Sequence, residues 1–86
     1  YRVQADGVRA QIVEKQTAML IEGGEPGMNY IVYKSNRNGV IWKMEIKNNK
    51  IFAYPGKLQY TNGYPFFTRY DVQIETKEDR FVINIK

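Results

Sequence analysis

The dipeptide Asn38-Gly39 limits what this chain can fold into more than any other feature. A two-residue hairpin loop of type I′ needs positive φ at both central positions, and Asn-Gly meets that need at the least steric cost. Such a turn forces a register, and the register can be read for consistency because directly opposed residues share one face of a sheet. Centred on Asn38-Gly39, it sets Ser35 opposite Trp42, Tyr33 opposite Met44 and Ile31 opposite Ile46. Residues 40–47 then alternate, with Val40, Trp42, Met44 and Ile46 on one face and Ile41, Lys43, Glu45 and Lys47 on the other. That period of two is the mark of a half-buried antiparallel strand. Asn48-Asn49 serves as the next turn and pairs Ile46 with Ile51 and Met44 with Ala53. The expected unit is a three-stranded meander over about residues 29–36, 40–47 and 50–54.

A second hairpin closes the chain. A turn at Glu78-Asp79 opposes Thr76 to Phe81, Ile74 to Ile83 and Val72 to Ile85, with Gln73 against Asn84 on the other face. The core expected from these registers is Trp42, Met44, Ile46, Ile51, Val72, Ile74, Phe81, Ile83 and Ile85. Tyr54-Pro55-Gly56-Lys57 reads as a type II turn, with Pro fixing φ at one central position and Gly supplying positive φ at the next. Residues 22–27 and 60–65 are loops by composition.

The N-terminal third admits two readings. A turn at Asp6-Gly7 would oppose Ala5 to Val8 and Val3 to Ala10, continuing an all-β chain. Alternatively, Asp6 caps a helix over about 8–21 with Val8, Ile12, Met19 and Leu20 inward. Gln16 on that stripe, with Val13 and Thr17, favours the hairpin. The expected class is therefore all-β, an antiparallel meander and hairpins in a small sheet, sandwich or barrel. The α+β alternative has one N-terminal helix packed on an antiparallel sheet. At 86 residues the chain fits one domain, 1–86, with a thin core.

The net charge of +4 is concentrated in one stretch. Residues 34–57 carry Lys34, Arg37, Lys43, Lys47, Lys50 and Lys57 against Glu45 alone, while 1–33 and 58–86 are nearly balanced. No run is apolar enough for a transmembrane helix. With no Cys the compartment stays open, because cytosolic and envelope proteins both tolerate that composition. The start at Tyr1 raises the expectation of an upstream segment that was cleaved or trimmed. The alternation from Lys50 to Lys86, ending Asp71-Val72-Gln73-Ile74 and Asp79-Arg80-Phe81-Val82-Ile83, resembles small secreted β-rich domains in its generic pattern. Nothing is carried over from that pattern, and the location is left open with a lean to the exterior or envelope.

The residue inventory argues against catalysis. Neither His nor Cys is present, so the commonest zinc ligands, thiolate nucleophiles and imidazole bases are missing. Ser35 is the sole serine and sits beside a turn. Asp71 and Glu75 share a strand face about 13 Å apart, too far for a glycosidase-type carboxylate pair. No loop gathers the carboxylates a hard cation needs. Gly56-Lys57 lacks the upstream glycine and following hydroxyl of a phosphate loop. No enzyme activity and no cofactor or metal are expected.

Aromatic clustering is what remains. Seven of the twelve aromatic residues lie between Phe52 and Tyr70. By the registers above, Phe52 and Tyr54 share a face with Lys43, Glu45 and Lys47, and Tyr54 stands opposite Lys43, within cation–π reach. Rings and lysines side by side suit either coverage by another layer of the same domain or a recognition surface. The candidate surface comprises Lys43, Lys47, Lys50, Tyr54, Lys57, Tyr60, Tyr64, Phe67 and Arg69. The function expected is a non-catalytic binding or interaction module with a protein or other macromolecular partner. The alternative is a small β domain that binds single-stranded nucleic acid on stacking platforms, for which the pI of 9.4 speaks. Exposed sheet edges add the expectation of self-association.

Overall fold

In the computed structural model, residues 2–36 and 39–86 are described, with side chains for 7–35 and 39–86. The N-terminal third is a helix, α1 (Arg2–Glu22), and it runs straight through Asp6-Gly7. The fold is thus α+β, and the N-terminal hairpin does not form. Its buried positions are Ala10, Val13, Glu14, Thr17, Ala18 and Ile21, spaced three and four apart as one helical face requires. This is the opposite face from the one expected. Val8, Ile12, Met19 and Leu20 point outward, with Met19 62% exposed. The inward stripe is built mostly from small side chains, which let the helix backbone approach the sheets closely. A stripe of that kind carries little apolar contrast, so the larger outward residues dominate the sequence pattern. Backbone bonds from Gly23 N–H to the Met19 carbonyl (3.0 Å) and Gly24 N–H to the Ile21 carbonyl (3.1 Å) close the last turn. Gly24 is packed so tightly that a Cβ there would overlap Ile85 Cδ1.

Eight strands follow: β1 (Asn29–Tyr33), β2 (Ser35–Asn36), β3 (Gly39–Val40), β4 (Lys43–Lys47), β5 (Lys50–Tyr54), β6 (Tyr64–Pro65), β7 (Val72–Thr76) and β8 (Arg80–Ile85). They form two three-stranded antiparallel sheets, ordered β1-β8-β7 and β4-β5-β6, and a two-stranded ribbon β2-β3. The β4–β5 hairpin has the expected register, with Met44 opposite Ala53 and Ile46 opposite Ile51. Its turn residues Asn48 and Asn49 have φ of 52° and 59°, as a type I′ loop demands. The β7–β8 hairpin also has its expected pairs, from Val72–Ile85 to Thr76–Phe81. Lys77 N–H donates to the Arg80 carbonyl at 2.8 Å to close it over Glu78-Asp79.

The first arm of the expected meander is where the structure differs. β1 pairs with β8, placing Ile31 opposite Val82 and Tyr33 opposite Arg80. Ser35 pairs with Val40 and Asn36 with Gly39, a register two residues away from the expected one. Gly39 does take a positive φ of 107°, whereas Asn38 lies outside the described residues. After Val40 the chain leaves its ladder: Ile41 N–H bonds the Lys34 carbonyl and Trp42 N–H bonds the Tyr54 carbonyl, both at 2.7 Å. This break reverses the faces. Ile41 is 1% exposed, and Trp42, expected in the core, is 67% exposed. A one-residue change of phase turns every side chain over. The Pro55-Gly56 segment also departs from expectation, because Gly56 does not adopt the positive φ of a type II turn.

The core lies where α1 meets the inner faces of both large sheets. Ala10 and Val13 pack with Ile41, Met44, Ala53 and Phe81. Further along, Ala18 and Ile21 pack with Ile51, Phe66 and Ile83, while Tyr30, Val32, Ile46, Val72 and Ile74 close the flanks.

Candidate functional site

The nine residues expected on one recognition surface lie in three places. The first is the outer face of the β4–β5 hairpin, with Lys43, Lys47, Lys50 and Tyr54. Glu45 stands between its two lysine neighbours, 3.4 Å from Lys43 Nζ and 3.1 Å from Lys47 Nζ. Lys43 sits over the Tyr54 ring at 5.1 Å, and Lys47 over the Phe52 ring at 5.5 Å. The Tyr54 hydroxyl donates to Glu45 Oε1 at 2.5 Å. That bond, with lesser help from the two lysines, holds the Glu45 carboxyl below its usual range. Its counterpart pushes the Tyr54 phenol up to about 12, with burial and the Glu45 charge adding to the effect. Tyr54 is buried, and Gly63, at φ 82°, lies against the Phe52 ring so closely that a Cβ would come within 2.7 Å of it. The rings here are largely covered, and the single Glu45 carboxylate answers part of the charge on Lys43 and Lys47 within the hairpin.

The second place is the connector between β5 and β6, which carries Lys57, Tyr60 and Tyr64. β6 pairs with β5 only at Lys50 and Ile51, so the β5 edge beyond Ile51 lacks a strand partner. Glu14 supplies the missing acceptor from α1. Its Oε2 accepts from Ala53 N–H at 2.9 Å and from the Thr61 hydroxyl at 2.5 Å. Thr61 Oγ1 in turn accepts from Gly63 N–H at 3.2 Å. Burial raises the Glu14 pKa, and the bonds to Thr61 and Ala53 oppose that rise. This knot ties helix, sheet edge and connector together. Its groups serve the packing of these three elements. Beside the connector, Lys57 and Gly56 join Trp42 around a small apolar hollow of about 280 Å³.

The third place is a groove of about 640 Å³ at the C-terminal end of α1, bounded by residues 22–25 and 66–70. Phe66 is buried, and its N–H donates to the Asn49 carbonyl at 3.1 Å. Phe67 N–H donates to Glu22 Oε2 at 2.9 Å, and Tyr70 N–H to Thr68 Oγ1 at 3.1 Å. The loop is therefore pinned at its start, by Asn49 and Glu22, while the Phe67 side chain, 82% exposed, stands in solvent. Arg69 lies 5.9 Å from the Tyr70 ring centre. Phe67 and Arg69 are the two candidates that the fold brings to one cavity. Glu22, Glu25 and Tyr70 complete its rim, and local pattern had no means to reveal them, because Glu22 reaches the loop across 45 residues of sequence.

Among the described residues no three metal-ligating side chains converge, and no helix is long and apolar enough to cross a membrane. Comparison with family models, curated proteins and solved structures finds no match.

Proposed function

We propose that this domain is a non-catalytic binding module that takes a polypeptide segment in the groove at the end of α1, with Phe67 as its apolar anchor. One observation carries the reading: Phe67 is 82% exposed on a loop pinned by Phe66 burial and by the Glu22 bond. A large ring carried on backbone that is held in place in the free protein loses less entropy on binding than one on a mobile loop, which is the character of an interface hot spot. Arg69 beside it supplies a fork for a partner carboxylate. Glu22 and Glu25 on the same rim make the groove mixed in sign, which suits a peptide better than a phosphate backbone. The lysines of the β4–β5 hairpin add little to nucleic-acid attraction while Glu45 neutralises part of their charge. The absence of His and Cys supports the non-catalytic part of the proposal.

The test is selection of binders from a displayed random-peptide library, with the Phe67→Ala and Arg69→Ala proteins as counter-screens. Peptides that bind the parent and lose most of their affinity on Phe67→Ala support the groove. A binder set indifferent to Phe67 refutes it. A parallel titration with single-stranded DNA and RNA at low and high salt tests the nucleic-acid alternative, because phosphate attraction is strongest at low salt.

A further inference from the structure

Four strands end the two large sheets: β1 and β7 in one, β4 and β6 in the other. Three carry the features by which sheet edges avoid pairing with other chains. β4 presents Lys43, Glu45 and Lys47, β7 carries Glu75, and β6 is two residues long and includes Pro65. β1 has none of them. Its sequence, Asn29-Tyr30-Ile31-Val32-Tyr33, holds no charge and no proline and is rich in β-forming residues.

The hydrogen-bond phase shows which groups β1 offers. Ile85 N–H donates to the Met28 carbonyl and Lys34 N–H to the Asp79 carbonyl, so even-numbered residues of this stretch face β8. Asn29 and Ile31 therefore aim their backbone groups away from β8, and no described residue bonds them there. Ile31 is also 52% exposed on the outer face of the sheet.

We infer that β1 pairs antiparallel with β1 of a second copy of this chain, about a two-fold axis through Ile31, to form one continuous six-stranded sheet. The sequence of the strand is self-complementary in that arrangement. Ile31 meets its twin, Asn29 meets Tyr33 at both ends, and no like charges oppose each other. On the outer face the row through the axis reads Glu75, Val82, Ile31, then Ile31, Val82, Glu75 from the partner, given the pairs Ile31–Val82 and Glu75–Val82. Apolar groups sit at the axis and carboxylates at the rims. Of the neighbouring cations, Lys34 lies 5.4 Å over the Phe81 ring, and Arg80, opposite Tyr33, lies 3.9 Å from Asp79. A two-fold contact also closes on itself, so pairing stops at the dimer.

The cysteine-free chain makes the register directly testable. Hydrogen-bonded antiparallel partners have Cα atoms about 5.5 Å apart, within disulfide range. Ile31→Cys should oxidise to a disulfide-linked dimer, whereas Asn29→Cys, about 14 Å from its own twin, should not. Sedimentation velocity of the parent should show a concentration-dependent monomer–dimer equilibrium. Ile31→Lys should weaken it on the order of tenfold or more with circular dichroism unchanged, and Met19→Lys on the exposed helix face should leave it intact. A parent that stays monomeric to sub-millimolar concentration overturns the proposal. So does a dimer that survives Ile31→Lys, or cross-linking of Asn29→Cys as readily as Ile31→Cys.

Discussion

Replacing Glu14 by Ala should be among the most damaging changes available at a polar position of this domain. The side chain is 1% exposed and satisfies both Ala53 N–H and the Thr61 hydroxyl. Truncation leaves the buried Ala53 N–H unpaired, at about 1–3 kcal/mol, and frees the half-buried Thr61 hydroxyl at a smaller cost of about 1 kcal/mol. Part of that loss is offset, because the variant no longer buries a carboxylate whose ionised form is disfavoured by desolvation. A net loss of about 1–3 kcal/mol follows. Against a total stability of about 4–13 kcal/mol for a chain of this length, that lowers Tm by about 4–24 °C. Thr61→Val, which removes one of the two bonds, should cost about 1 kcal/mol.

The sign of the pH dependence follows from the raised pKa. A carboxyl with a folded-state value above its ordinary 4.5 contributes fully below 4.5 and loses that contribution as pH rises through the folded value. The gap between parent and Glu14→Ala should therefore be wider in mild acid than at neutral pH. Glu14→Gln, which keeps an acceptor for Ala53 N–H, should gain on the parent as pH rises. Urea unfolding followed by far-ultraviolet circular dichroism measures each difference, and amide exchange reports Ala53 individually. If Glu14→Ala unfolds within about 0.5 kcal/mol of the parent, with Ala53 exchange unchanged, the knot does not hold the connector and the reasoning fails.

Three further outcomes are expected. Ile41→Ala should cost about 2–5 kcal/mol and Trp42→Ala within about 0.5 kcal/mol of nothing, the reverse of the order that unbroken alternation through residues 40–46 implies. Gly7→Ala should stabilise by about 0.5–1 kcal/mol, since it lies in a helix and its nearest neighbour would be the Tyr60 carbonyl at 3.8 Å. By contrast, Gly24→Ala should destabilise through its clash with Ile85, and thermal melts of the two variants should move in opposite directions. In alkali, the stability that Tyr54 gains from Glu45 is intact below pH 10 and lost as pH rises toward about 12. Phenolate absorbance should show one tyrosine titrating late, and Glu45→Gln should return it toward its ordinary value.

Two hairpins were legible in the sequence because their registers are set by a handful of adjacent residues. Asn48-Asn49 favours a type I′ reversal, Glu78-Asp79 leaves a longer loop open, and in both hairpins alternating apolar residues set the phase on both sides. Tertiary structure decided what local pattern leaves degenerate. In Tyr30-Ile31-Val32-Tyr33 both faces are apolar, so alternation does not say which one turns inward. The core answered by pairing β1 with β8, about fifty residues away, with Tyr30 and Val32 inside. The helix was hidden for a related reason, since its buried stripe rests on Ala10, Ala18, Thr17 and Glu14 while its larger apolar residues face out.

The candidate surface divides in the same way. Proximity of Lys43 to Tyr54 follows from one hairpin, and the sequence contains it. Whether those rings are presented or covered depends on Gly63 and the connector folding over Phe52, and on Glu14 reaching from the helix to hold that connector down. The expectation of no catalysis rests on composition alone, through the missing His and Cys. The groove beside Phe67 exists only in three dimensions. It is made where the end of α1 meets a loop some forty-five residues further along, and no local period records that meeting.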